Sequence, residues 1–398
     1  MTGTFGGSSR SLYEAVRALP EGEVEPLFVA PRGSVHEFFA RIGEVIETWG
    51  VSRFDNTRYS HYRGLRWLVL LRELAFLPAT FMVLRRAHKR WKNVDLIHVN
   101  EVTGVVPWLI ARRLFKAPVV VHVRSVVRDD AGSRRVRWLN TLLRDKAEAV
   151  IAIDETVRGS LPSGLPVDVI HNSFSVPARN GAASGFADRL KLRAGSFKVG
   201  FVGYMLRVKG AFELIEAARL TRERGLDVEF VVVGGDVGQS GTLRSRVLNR
   251  LKLGQDVGNE VRAKIAEYGL EDRIQMAGFT PDIAQVYDCM DVLCFPSHYD
   301  APGRPIFEAA FFKVPSIVAV QAPKPDTLVH GVTGLAVPPR DAVALADAIA
   351  SLATDRGRAA QMGAAAYDLA VSNFQPERNS MKLMALYRRV LARTGGGQ

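Results

Sequence analysis

Ser297-His-Tyr-Asp-Ala-Pro-Gly-Arg-Pro-Ile-Phe-Glu-Ala-Ala-Phe-Phe-Lys-Val-Pro-Ser-Ile-Val-Ala319 is the stretch on which the fold turns. It sets a carboxylate, Asp300, ahead of a glycine turn at Gly303, a second carboxylate, Glu308, eight residues after the first, and then Val-Pro and an apolar run. Asp300 and Gly303 read as a loop entering a helix, where backbone N–H groups and the helix dipole favour an anion. Glu308 falls within the first turns of that helix.

Outward from this stretch, short apolar runs alternate with amphipathic ones, as in a parallel α/β sheet. Strands are expected at Lys198–Val202, Glu229–Val233, Ile274–Ala277, Val292–Phe295, Ser316–Val320 and Gly334–Val337, with helices at Ala211–Arg224 and Ala342–Ala353. Residues 236–260 read as an insertion of loop and basic helix. An earlier series has strands at Val24–Ala30, Asp95–Asn100, Pro118–Val123, Ala149–Ile153 and Val167–His171, with helices at Ser9–Leu19 and Trp138–Lys146. A chain of 398 residues exceeds the ~250–300 at which single cores stop growing, so two domains are expected. They span 1–178 and 197–373, joined by a linker at 179–196 that opens rich in Ala, Gly, Ser and Asn, with an amphipathic helix at 376–393 returning to the first.

Four further segments carry chemistry. Val199-Gly-Phe-Val-Gly-Tyr-Met-Leu-Arg-Val-Lys-Gly-Ala-Phe-Glu-Leu-Ile-Glu-Ala-Ala218 is strand, basic glycine loop and helix. Pro325-Asp-Thr-Leu-Val-His-Gly-Val-Thr-Gly-Leu-Ala-Val-Pro-Pro-Arg-Asp341 brackets a turn into a strand with Gly331 and Gly334. Pro118-Val-Val-Val-His-Val-Arg-Ser125 ends a strand with His122 and Arg124 on one face, although His122 taken alone reads equally as a core histidine. Gly6-Gly7 could let backbone approach a ligand, yet only Met1–Phe5 precede it where a doubly wound domain opens with an apolar strand. Either translation begins upstream of Met1, which the sequence favours, or the N-terminal sheet lacks a strand.

In this order the segments resemble the retaining GT-B glycosyltransferases of family 4, the glycosyl transferases group 1, whose donor motif is Glu, seven residues, Glu. The resemblance implies two Rossmann-like doubly wound parallel-sheet domains facing a cleft, here with the N-terminal first strand missing. It implies that Asp300, in place of the usual Glu, hydrogen-bonds the donor sugar and Glu308 the nucleotide ribose. Lys209 matches the lysine on the donor phosphates. Tyr204 stands where the family has Arg, and Arg207 can replace that charge. Thr327 and Leu328 would abut the nucleotide, and Gly6, Gly7, Gly203, Gly303 and Arg304 complete the implied donor contacts. Arg124 takes the position of an active-site His, with His122 two residues earlier. Val169-Ile-His-Asn-Ser173 looks like the family's His-Asn-Gly turn, with a structural role.

The implied reaction is a retaining transfer from a UDP- or GDP-sugar to a saccharide or lipid-linked acceptor, in cell-surface polysaccharide or glycolipid synthesis. Lys209 and Arg207 would stabilise the departing diphosphate. A phosphate oxygen would take the acceptor proton, so no protein base, metal or cofactor is expected beyond the nucleotide sugar. The rival readings are an inverting transferase, a nucleotide-sugar epimerase, or a non-catalytic GT-B partner subunit.

A net charge of +12 and pI near 9.9 attract anionic partners. No aromatic-basic motif of a nucleic-acid-binding module accompanies them, so no nucleic acid is expected. Between Tyr62 and Lys92, Arg63, Arg66, Arg72, Arg85, Arg86, Lys89, Arg90 and Lys92 interleave with Trp67, Leu70, Leu71, Leu74, Phe76 and Leu77, which suits an anionic membrane surface or, equally, a helix packed on the sheet. Pro78 should kink or split this helix. Cys289 and Cys294 read as small buried hydrophobes of a reducing compartment. With no ~20-residue apolar run and no signal-peptide features at the start, the expected place is the cytosol, peripheral to the inner face of the membrane.

Overall fold

Each apolar run read as a strand becomes one, and one further strand, Glu44–Thr48, is not evident in the sequence. The computed structural model describes residues 6–58, 60, 62, 67–130, 132–177, 186–235, 257–280 and 282–395. Met1–Phe5, Arg63, Arg66, residues 178–185 of the linker region and 236–256 of the expected insertion lie outside the described residues. The chain divides into two units, Met1–Ser175 with Asn373–Gln398, and Val176–Ser372.

The first unit has two parallel sheets among its described residues. One pairs β1 (Leu27–Pro31) with β2 (Glu44–Thr48); the other runs β3 (Ile97–Val99), β4 (Val119–Val123), β5 (Ala149–Ala152) and β6 (Val167–Val169). β2 was missed because Glu44-Val-Ile-Glu-Thr48 holds two apolar residues between charges; its parallel ladder to β1, from Leu27 against Glu44 to Pro31 against Thr48, supplies what composition does not. The two sheets share a covering layer, since Leu27, Val29, Ile46 and Ile97 pack with Val83, Leu84, Ala87 and Ala111. No ladder joins β1 to β3 among the described residues, and Met1–Phe5, on which the expectation of a missing first strand turns, lie outside them. On the other face, helix Gly7–Arg17 reaches β1 through Leu12 and β4 through Ala15, which clusters with Leu383, Leu386 and Val390 of the C-terminal helix Pro376–Gly395. The basic stretch forms two helices, Val69–Ala75 and Leu77–Arg90, the second opening with Pro78 in its first turn, where a missing N–H costs nothing.

The second unit is one six-stranded parallel sheet: β7 (Phe197–Val202), β8 (Val228–Val233), β9 (Ile274–Gly278), β10 (Val292–Phe295), β11 (Ser316–Ala319) and β12 (Gly334–Val337), in the order β12-β11-β10-β7-β8-β9. That order winds outward in both directions from β7 and reverses between β7 and β10, and the carboxyl ends of those two strands are where open α/β sheets bind ligands. Val199, Phe201, Phe230 and Val232 bury against Leu214, Ile215 and Ala218 of helix Ala211–Glu223 and Leu345 and Ile349 of helix Ala342–Thr354. Cys294, on β10, is fully buried, and burial raises its thiol pKa.

Candidate active site

The two motifs richest in charge, about ninety residues apart in sequence, are adjacent because β7 and β10 are hydrogen-bonded neighbours, Val199 beside Val292. After β7 the chain makes a single 3-10 turn, Arg207–Lys209, then Gly210 in the left-handed region at φ 78°, and enters helix Ala211–Glu223. A Cβ on Gly210 would stand 2.0 Å from the Pro296 carbonyl oxygen, so the loops packed here require glycine. The His298 N–H donates to the Val208 carbonyl at 2.9 Å, tying the β10 loop to the β7 loop.

Lys209 carries its ammonium 4.9 Å from the Tyr299 ring centre and 5.4 Å from that of Phe295. These ring contacts, and no ion pair, are its side-chain partners among the described residues, and burial lowers its pKa. Two aromatic faces thus hold a partly desolvated cation without neutralising it. Arg207 is placed differently: its guanidinium pairs with Glu260 and lies 4.4 Å over Phe212. Tyr204 is mostly exposed, and Gly203 donates its N–H to the Val233 carbonyl at 2.9 Å.

Asp300 adopts φ 48° and accepts a hydrogen bond from the Gln321 N–H at 2.8 Å, which links the loop after β10 to that after β11. Gly303 caps the short helix Arg304–Ala310 and lies so close to Phe295 that a Cβ would meet its ring at 2.3 Å. Glu308 is nearly fully buried; one carboxylate oxygen accepts from the Tyr287 hydroxyl at 3.0 Å, the other from the Arg304 Nε–H one turn earlier. Thr327 closes its turn with a hydroxyl donated to the Lys324 carbonyl at 3.1 Å, and Leu328 beside it is buried. Reading the sequence missed Tyr287 and the 2.8 Å contact between His298 Nε2 and Glu213, which joins the β10 loop to the helix behind Lys209. Position of His298 inside the decisive stretch was the available signal.

In the first unit, polar groups gather at the carboxyl ends of β3, β4 and β6. Arg124, almost fully buried, donates from Nε to Asn100 Oδ1 at 2.6 Å and from Nη1 to Asn172 Oδ1 at 2.6 Å. Asn100 Nδ2 donates in turn to the Ser8 carbonyl at 3.3 Å, which draws the start of the Gly6-Gly7 helix to the same place. His122 lies beneath Arg124, and its Nε2 is buried without a hydrogen-bond partner among the described residues. An unmet buried donor costs about 1–3 kcal/mol, so stability alone does not account for this histidine. His171 packs edge-on against Phe374 at 5.2 Å. Among the described residues, no group of three or more His, Cys, Asp and Glu is arranged to hold a metal ion.

Comparison with known proteins gives the same division of the chain. The family model described as Glycosyl transferases group 1 matches residues 186–369, and that described as Glycosyltransferase Family 4 matches residues 5–176. The chain is 26% identical over 381 residues to the D-inositol 3-phosphate glycosyltransferase of Corynebacterium glutamicum (strain R), spanning 88% of this chain and 85% of that protein. It is 27% identical over 165 residues to the capsular polysaccharide biosynthesis glycosyltransferase CapM of Staphylococcus aureus, 42% of this chain and 39% of that one. The crystal structure of Anabaena Alr3699/HepE in complex with UDP and glucose superimposes with a TM-score of 0.72 at 21% identity, over 98% of each chain.

Proposed function

This chain belongs to the glycosyl transferases group 1 and is a glycosyltransferase of GT-B fold, and from that premise we propose that it moves a sugar from a nucleoside-diphospho-sugar to a saccharide or lipid-linked acceptor with retention of anomeric configuration. The carrying observation is Lys209, a partly desolvated cation with no ion-pair partner among the described residues, at the strand reversal between β7 and β10. There it meets the diphosphate and stabilises the charge that develops as the glycosidic bond breaks. Asp300 and Glu308 serve the donor sugar and ribose from the neighbouring loop and helix, and no metal ion takes part. UDP is the favoured nucleotide, because the Anabaena structure holds it. The role in cell-surface polysaccharide or glycolipid synthesis draws on the likeness to CapM.

For the acceptor side, the outer surface of helices Val69–Ala75 and Leu77–Arg90 supports docking on anionic lipid. Trp67, Leu71 and Met82 are more than half exposed, and Leu70, Leu74 and Phe81 are exposed beside Arg85, Arg86 and Lys89. Apolar side chains next to cations fit an interface of negatively charged headgroups. Among the described residues no helix is long and apolar enough to cross a membrane.

The test is thermal-shift screening of UDP, GDP and their sugars, since a ligand bound to the folded state alone raises its stability. UDP and a UDP-sugar should raise the Tm, and EDTA should leave the shift unchanged. No shift with any nucleotide would reject the donor assignment, and an inverted anomer in the product would reject retention.

A further inference from the structure

The network at Arg124 continues downward to the C-terminal helix. Arg124 Nη2 lies 3.2 Å from His122 Nδ1, His98 Nε2 lies 3.3 Å from the same Nδ1, and the Tyr387 hydroxyl lies 2.6 Å from His98 Nδ1. A guanidinium can only donate, so His122 Nδ1 holds a lone pair and the ring proton sits on Nε2. His98 Nε2, facing that lone pair, is then the protonated nitrogen of its own ring. His98 Nδ1 is left to accept from Tyr387. The one group that cannot reverse its role therefore sets the direction of every link. Burial, reinforced by the Arg124 charge, keeps both imidazoles neutral, His98 at about 3 and His122 well below its ordinary value. Burial raises the Tyr387 phenol, so it keeps the proton it donates.

We propose that Tyr387 is a positioning residue for sugar transfer, acting through His98 and His122 to hold the Arg124 guanidinium in the orientation that Asn100 and Asn172 define from its other edges. The proposal rests on the glycosyltransferase reading above and on the family resemblance, which puts Arg124 at the position of an active-site His. It gives the last helix of the chain a catalytic consequence without contact to substrate: Tyr387 stops Arg124 from turning away, just as Asn100 links Arg124 to Ser8 at the first helix.

The test uses the full chain labelled with 15N-histidine, with tautomers read from two-bond couplings, and the Arg124 Nε–H resonance, assigned by its loss in Arg124→Lys, followed for exchange with solvent. Both rings should be in the Nε2–H form. Tyr387→Phe and His98→Leu should speed Arg124 Nε–H exchange at least tenfold. They should also lower kcat for hydrolysis of the UDP-sugar chosen by the thermal-shift screen at least fivefold, with donor KM and UDP affinity unchanged. His98→Gln, whose amide accepts from Tyr387 and donates onward, should retain both properties and separates lost positioning from lost folding. A ring in the Nδ1–H form, unchanged Arg124 exchange in Tyr387→Phe, or faster exchange with unchanged kcat would each overturn the proposal. If the parent protein hydrolyses no donor while tautomers and exchange follow the expected pattern, the reading of the reaction fails and the positioning of Arg124 by Tyr387 stands.

Discussion

A lysine held over Tyr299 and Phe295 with no carboxylate partner among the described residues has little to do for stability, because burial disfavours its charge. Lys209→Ala should therefore leave the Tm within about a degree and lower kcat/KM by roughly 10²–10³, the usual loss for one preorganised charge donor. Retained turnover would remove Lys209 from the donor site. Arg207→Ala should cost much less, because its guanidinium already pairs with Glu260. Glu308 behaves in the opposite way. It is buried against Arg304 and Tyr287, so truncation to Ala removes the buried carboxylate to which both donate, at about 3–5 kcal/mol. Glu308→Gln keeps the shape and one acceptor. It should melt closer to the parent while still weakening UDP binding, as read by calorimetry; unchanged UDP affinity would place the ribose elsewhere.

Between elements, the decisive contact is backbone against backbone where the loops after β7 and β10 meet. Gly210→Ala must hold a Cβ in the left-handed region, costing about 1–2 kcal/mol, and also push Pro296 aside. Denaturant melts should show a loss of at least 2 kcal/mol in the second unit, an order-of-magnitude figure summing that conformational cost and the overlap. UDP binding should fall with it, since the same displacement moves Lys209. A neutral outcome would mean that the loops part without cost. For the paired helices Val69–Ala75 and Leu77–Arg90, sedimentation with vesicles should favour anionic over neutral lipid, and Leu71→Ser with Met82→Ser should abolish the preference. Equal binding to both lipids would leave this apolar surface without a role at a membrane.

Over the whole molecule, the buried histidines make stability depend on pH. His98 titrates at about 3 when folded, against an ordinary value of 6.5, so between these values the unfolded chain binds a proton that the folded chain refuses. Stability is then complete above about pH 6.5 and falls as the pH drops toward 3, by up to about 1.4 kcal/mol per pH unit for each such histidine. Urea melts at pH 7 and pH 5 should show the fall, and His98→Gln should flatten it; equal slopes in both proteins would mean that acid acts elsewhere. Much of this architecture was legible in the chain. Continuous apolar runs such as Val119–Val123 and Val228–Val233 can be little other than strands buried on both faces, and Pro78 announced the break between two helices. Order and spacing of the glycines and carboxylates named the family, because each serves a local backbone requirement that the neighbouring residues display. The partners across space were not legible. Strand order placed Lys209 over Tyr299, and helix packing brought Tyr387 to His98, 289 residues away in sequence. Local sequence determines which segments become helix or strand and which side chains can do chemistry; which of those side chains are neutralised, and which are left charged and oriented, depends on through-space distance, and that follows from strand order and from how the helices pack on each sheet.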